Sequence, residues 1–315
     1  MFRYNLSRYI FFIVALLAWP VSSPCETVED FLGRKVSLAK YPMRIIPLAP
    51  NLTEIFYYLG LEDRVVGVTN FSNYPPAALE KPRVGTYVNL NVEKIISLSP
   101  DLLIGTRDGN SSGDVKLLEQ AGIPVFIVNP RSVESVIASV AQIGTICGIP
   151  EKAALLAADL TRRFEAVRSA IQYKKKPLVF LQINLVPIMT VNKTTFHNDL
   201  IRIAGGVNMT ADEPNTYPRI SVEEVIRRNP EVIIISSMER GGRFEEAKKG
   251  WMQWTSLPAV KNNRVYLIDS DLIDRPSPRI IDGLEAMARI IHPEVNWENR
   301  NGGEMGQSNT ENRSQ

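Results

Sequence analysis

The chain has 315 residues, 44% of them hydrophobic, and a formal net charge of +2. That length gives room for two domains with separate cores. The near-balanced charge, with no basic block beyond Lys174, Lys175 and Lys176, excludes nucleic acid as the main partner.

In chain order, residues 1–25 read as a secretory signal. Arg3 and Arg8 give a basic start, residues 10–18 are apolar, and Pro20, Ser22 and Ser23 supply a small, polar exit. The apolar run is too short to span a bilayer. Cys25 has two further readings: a lipidated first residue, or a partner for Cys147 in an oxidising compartment. Otherwise Cys147 reads as an inert core residue. "VEDFLGRKVSL" predicts a hairpin turning at Gly33, and residues 44–48 a first buried strand. Asn51-Leu-Thr-Glu54 has the pattern of a capping box for a helix closed by Gly60. Residues 65–68 read as a second strand, followed by a loop with Tyr74-Pro75-Pro76.

The most informative feature is a repeat. "NVEKIISLSPDLLI" at 91–104 returns as "SVEEVIRRNPEVII" at 221–234. Asn91 and Ser221 are helix N-cap types. Glu93 and Glu223 fall in the first turn, where the helix dipole favours a carboxylate. Pro100 and Pro230 stop each helix near Ser99 and Asn229, and an apolar run suited to a buried strand follows. One recurrence at long range points to two similar lobes, not a solenoid.

Between the copies, "DVKLLEQAGIPVFIV" is a further helix–strand unit. Residues 151–173 then lack Gly and Pro, and Leu155, Leu156, Leu160, Phe164, Val167 and Ile171 recur at helical spacing. This predicts a rigid connecting helix over 150–174, roughly 35 Å long. Strand–helix alternation resumes with "PLVFLQIN", "FHNDLIRIAGG", a helix carrying Trp251 and Trp254, "RVYLID", and a last helix from Pro278 to about Ile291. Trp251 and Trp254 read as core residues. The expected fold is α/β: an N-terminal lobe (26–149) and a C-terminal lobe (175–293), Rossmann-like with parallel-rich sheets, joined by the single helix. Residues 294–315 have little to bury and read as a disordered tail.

Three stretches carry a resemblance: residues 44–105, "FHNDLIRIAGGVN" and "DSDLIDRPSPRII". They resemble the substrate-binding proteins of ABC importers whose two lobes are linked by one long helix, the class that carries cobalamin, siderophores and haem. The cobalamin-binding members are the nearest in likeness. The resemblance spans about 27–292. It implies a monomeric carrier in the periplasm with no cofactor of its own, a corrinoid as transported ligand, and an ABC importer permease dimer as partner. Glu93 and Glu223 would dock on that permease, one per lobe, though each also reads as an ordinary solvated helix-start acid.

Ligands of open α/β sheets lie beyond the carboxyl ends of the strands. Phe71, Tyr74 and Tyr87 stand on or beside such loops, and Tyr217 is their opposite number in the second lobe. By position in the family motifs, Tyr74 precedes the double proline, Tyr87 and Tyr217 replace tryptophans, and Asp271 and Arg275 sit at the ligand rim. Structural alternatives stand beside these: Asp271 pairing with Arg275 or capping the last helix, and Ser277 with Pro278 opening that helix in "SPR". A siderophore or haem carrier of the same class is the alternative function, with Arg107 and Arg275 as anion ligands or a tyrosine as axial oxygen. The remote alternative is a secreted hydrolase using His197 or His292, but no G-x-S-x-G elbow is present. Two separated histidines make a poor metal site, so no metal is expected.

Overall fold

A computed structural model of the chain describes residues 25–39, 41–236 and 243–297. Residues 1–24, which hold most of the expected leader, and the tail beyond 297 lie outside the described residues. Strands β1 (Cys25–Glu29) and β2 (Lys35–Ala39) form the antiparallel hairpin, with Gly33 in its turn. Asp30 holds the turn by accepting from the Leu32 and Arg34 amides at 2.9 and 3.0 Å. Its other oxygen accepts from the Ile127 amide at 3.2 Å. The hairpin thereby covers the edge of the first large sheet, which would otherwise present unpaired backbone.

That sheet contains β3 (Ile45–Pro47), β4 (Leu102–Thr106) and β5 (Val125–Val128), all parallel. Its helices are α1 (Pro50–Tyr58), α2 (Val92–Ser97), α3 (Ser112–Gln120) and α4 (Val133–Ile146). Residues 65–68 do not form the expected strand. They make only isolated parallel bridges, Ile45 with Val65 and Val68 with Arg83. Even so, Val65 takes the position next to β3, so the chain order across the sheet is 2-1-3-4.

The connector α5 (Pro150–Ile171) is one 22-residue helix. It buries Ala153, Leu160, Phe164, Val167 and Ala170. Leu155 was expected on this face and is instead 74% exposed, because the buried stripe is narrow and passes through Ala153. Opposite Ala153 stands Gly144 of α4, where a Cβ would overlap the Ala153 methyl. Gly144→Leu is expected to lower stability by about 1–3 kcal/mol, read from urea denaturation. An unchanged midpoint would mean the two helices spread at no cost.

The second lobe holds β6 (Leu178–Gln182), α6 (Phe196–Ile203), β7 (Val207–Asn208), α7 (Val222–Arg228) and β8 (Val232–Ile235). It continues with α8 (Arg243–Met252), α9 (Pro258–Lys261), β9 (Val265–Leu267), α10 (Ser270–Ile273) and α11 (Ile280–Ile291). Its sheet is parallel with order β7-β6-β8-β9, again 2-1-3-4. The repeated phrase therefore occupies equivalent places: α2 leads into β4, and α7 into β8. Asn91 accepts from the Lys94 amide at 2.8 Å and Ser221 from the Glu224 amide at 3.3 Å, each as the N-cap. Both copies also turn at the residue before proline with left-handed backbone, φ 46° at Ser99 and 58° at Asn229.

Three expectations need correction. Trp251 is buried, with its indole N–H donating to Gln182 at 2.7 Å, but α8 ends at Met252, so Trp254 leaves the helix and is 43% exposed. Ser277 does not cap the last helix, which starts at Ile280 behind Arg279 with no side-chain cap. The packed fold also runs past 294 among the described residues. Val295 packs with Ala170 and Ile171, and the Trp297 indole donates to the His292 carbonyl at 3.1 Å. That apolar pair lies at the head of an otherwise polar tail.

Candidate functional site

Three loops at the carboxyl ends of the N-terminal strands are tied together by Asn110. Its Nδ2 donates to the carbonyls of Leu48 and Tyr87 at 2.8 and 2.7 Å, and its Oδ1 accepts from the Thr106 amide at 2.7 Å. Gly109 completes the fit, since a Cβ there would press on the Tyr87 ring. Phe71 meets Tyr87 edge to face, with centroids 6.0 Å apart at 67°, in the range of a favourable aromatic pair. Phe71 keeps 51% of its surface exposed. The loop that carries it is pinned to α1 by a buried hydroxyl chain in which Ser72 lies 2.8 Å from Thr53 and 2.9 Å from Thr69. Asn110→Ala is expected to leave the fold intact and weaken ligand binding by about 1–3 kcal/mol, since three part-buried groups lose their partner. Titration of the folded variant checks this.

Tyr217 comes from the opposite lobe. Burial raises its hydroxyl pKa, and the Asp108 carboxylate adds to the effect while Arg131 opposes it; Asp274 and Tyr87 also raise it. Asp108, Arg131 and Tyr87 all belong to the first lobe, so Tyr217 stands within electrostatic reach of it. Asp108 and Arg131 pair with each other at 2.8 Å.

The other candidates lie in a polar cluster where the lobes touch. Glu54, fully buried on α1, accepts from Arg279 Nε at 2.9 Å and Nη2 at 2.6 Å, from Ser277 Oγ at 2.5 Å, and from Arg275 Nη1 at 3.1 Å. The expected capping box at 51–54 is absent. Helix α1 has Ala49 at its N-cap with no side-chain bond, and Asn51 instead donates to the Pro276 carbonyl at 3.3 Å. Arg275 also donates to Asn73 at 2.8 Å and pairs with Asp271 at 3.1 Å. The Arg279 guanidinium lies 3.8 Å over the Tyr74 ring. Burial works against the Arg279 charge, yet the Glu54 carboxylate outweighs it and raises the pKa. The signal for this cluster was present in "RPSPR", but its partner Glu54 lies 225 positions from Arg279 and has no local mark. A second tie joins the lobes where Asp199 of α6 accepts from the Val133 amide at the start of α4, at 3.0 Å.

Glu93 and Glu223 are exposed in the first turns of α2 and α7. Neither is ion-paired with a described residue. Glu224, next in the chain, is taken by Arg227 and Arg228, which hold its carboxyl down at about 2. The Glu223 carboxyl is also lowered, by its own amide and then by Ser221.

Both histidines are buried. His197 Nε2 lies 2.9 Å from Asp274, whose other oxygen accepts from Ser236 Oγ at 3.1 Å. His292 packs on Gly205 and lies 3.1 Å from Glu294. Cys147 is buried, which pushes its thiol up to about 12. No three His, Cys, Asp or Glu side chains converge as a metal site among the described residues. An open groove of about 460 Å³ beside the hairpin, lined in part by Arg34, Ser37 and Glu119, shares no residue with the strand-end loops.

Two lobes of matching topology joined by one helix, with aromatic side chains on their loops, are the architecture of a solute-binding protein. The chain belongs to the periplasmic binding protein family, which it matches over residues 45–272, and its place is therefore extracytoplasmic. It is 33% identical over 252 residues to a vitamin B12-binding protein of Vibrio parahaemolyticus, covering 79% of this chain and 90% of that one. It is 34% identical over 276 residues to an uncharacterised ABC transporter substrate-binding lipoprotein of Bacillus subtilis, covering 85% and 86%. Among solved structures it is similar to a periplasmic vitamin B12-binding protein of Vibrio cholerae, with TM-score 0.73, 31% identity and coverage of 80% and 97%. It is also similar to a periplasmic haem-binding protein of Roseiflexus, with TM-score 0.71, 25% identity and coverage of 80% and 99%.

Proposed function

We propose that the protein captures cobalamin or a related corrinoid between its lobes and delivers it to an ABC importer in the inner membrane. Glu93 and Glu223 dock on the permease dimer, and the protein performs no chemistry. The observation that carries the ligand reading is the character of the cleft. Phe71, Tyr87 and Tyr217 offer ring faces, while the nearby arginines are already neutralised: Arg275 by Glu54 and Asp271, Arg279 by Glu54, and Arg131 by Asp108. A corrinoid is a broad, near-neutral disc with apolar faces and an amide rim, and flat aromatic walls suit it. An anionic chelate calls for several free cations, and the exposed arginines without an ion pair near these rings, among the described residues, are Arg107 and Arg219. The names of the vitamin B12-binding relatives support the same reading.

Docking is supported by topology. A helix returning between parallel strands runs against them, so its N-terminus lies at their carboxyl ends. Glu93 and Glu223 thus sit on the cleft-facing ends of both lobes, where a pseudo-symmetric pair meets a two-fold partner at two matching spots. A hydrolase reading is disfavoured by the order of contacts, because Ser236 donates to Asp274 and not to a histidine base.

Calorimetric titration of the mature protein with cyanocobalamin, cobinamide, haem and a ferric siderophore is the test. Saturable heat with a corrinoid is expected. Heat with haem alone would transfer the assignment to haem, the alternative favoured by the likeness to the Roseiflexus protein and by the cleft tyrosines. In this reading the leader exports a monomer to the periplasm. Mass spectrometry of the mature N-terminus separates that form from one lipidated at Cys25.

A further inference from the structure

The two lobes are joined by more than α5. At the base of the cleft, the buried Glu54 carboxylate of the first lobe receives Arg279, Ser277 and Arg275 of the second, in four hydrogen bonds. We propose that Glu54 is the positioning residue of the receptor: it locks the lobes at one separation and absorbs the charge of the two arginines beneath the cleft.

Three observations carry this. First, the local charges cancel. Glu54 and Asp271 face Arg275 and Arg279, and the pairs lie at 2.6 to 3.1 Å. Second, the cluster is continuous with the cleft. Arg275 holds Asn73, which precedes Tyr74 on the aromatic loop, and Arg279 covers one face of Tyr74. Third, the lock has little slack. The Glu54 side chain is 0% exposed and that of Arg279 is 9% exposed, so parting the lobes strips a buried charge of its partners and leaves it in a poor dielectric. Helix α5 limits twist, while Glu54 limits opening at the point where the loops meet. Without Glu54, Arg279 becomes an uncompensated cation next to the ligand, and Arg275 keeps only Asp271.

The test uses the mature protein with Cys25→Ser and spin labels at Lys116→Cys on α3 and Lys249→Cys on α8, both exposed positions. The parent without ligand should give a single narrow inter-lobe distance by pulsed dipolar spectroscopy. Glu54→Gln should broaden it or add a longer population, with the circular dichroism spectrum unchanged. Arg279→Lys, which keeps the charge and loses the planar fork, should give the same change more weakly, and it decides the matter if Glu54→Gln does not fold. A folded variant that keeps the single narrow distance overturns the lock. Affinity is the second readout, and it rests on the ligand reading above. Cyanocobalamin binding should fall at least about tenfold in Glu54→Gln, while haem, a dianion, should lose less or gain. An unchanged ratio of the two affinities overturns the charge role. If the parent binds neither probe, the ligand reading fails, and the distance measurement still tests the lock.

Discussion

Glu93→Arg and Glu223→Arg should each abolish delivery to the importer while ligand capture stays intact. Both side chains are exposed, and no described residue pairs with either. Their replacement therefore breaks no ion pair with a described residue of the free protein, and stability should change by no more than about 0.5 kcal/mol. The loss appears only on docking. If the carboxylate meets a basic pocket that becomes buried, removing it costs about 2–5 kcal/mol, and reversing its sign adds repulsion. The two sites should differ in one respect. Glu223 stands beside Glu224, Arg227 and Arg228, which form their own ion-pair set, whereas Glu93 stands beside Lys94 and the 43% exposed Ile96. A contact made at Glu223 is thus set among several fixed charges, and one at Glu93 beside a single lysine and an exposed isoleucine. Raised salt should weaken docking of Glu93→Ala, which relies on Glu223, more than docking of Glu223→Ala. Transport into vesicles or cells, run beside ligand titration, reads both effects. Variants that bind ligand and still deliver it at the parent rate would remove these acids from the docking face.

The repeat was legible because its rules are local. An Asn or Ser cap, a first-turn carboxylate, a proline stop and a branched apolar run each act within a few residues, and the structure places both copies before the third strand of their sheets. The connector was legible for the same reason, apart from Leu155, where an apolar residue falls beside the stripe instead of on it. What was not legible depends on distance along the chain. Asn51-Leu-Thr-Glu54 has the spacing of a capping box, but Glu54 has partners in the other lobe that no local pattern marks. Residues 65–68 had strand composition, yet they run beside β3 for a single bridge before diverging to Arg83. The aromatic positions were readable as loop residues. Which of them face one another depends on how the lobes sit, and that is set by contacts such as Glu54 with Arg279 and Asp199 with the start of α4.

The double variant Tyr87→Ala/Tyr217→Ala should lose corrinoid binding almost entirely. Each ring contributes in two ways. Covering its face and the apolar face of the ligand removes area from water, at roughly 25 cal/mol per Å². Ring stacking adds about 0.5–1.5 kcal/mol per contact. Losing both faces should cost about 3–6 kcal/mol in all, or some two to four decades in Kd. Tyr87 is backed by Phe71 and held at its carbonyl by Asn110, so it is rigid before the ligand arrives. Tyr217 is 43% exposed, and its hydroxyl pKa is raised by burial and then by the Asp108 carboxylate of the other lobe. The single variants should therefore differ in kind. Tyr87→Ala also deprives Phe71 of its edge contact, and its cost should exceed that of Tyr217→Ala. Tyr→Phe at either site keeps the ring, so it should retain most of the affinity if stacking dominates. If Tyr217→Phe instead loses as much as Tyr217→Ala, the hydroxyl carries the interaction, and the contact is a hydrogen bond to the amide rim, not a wall against the face.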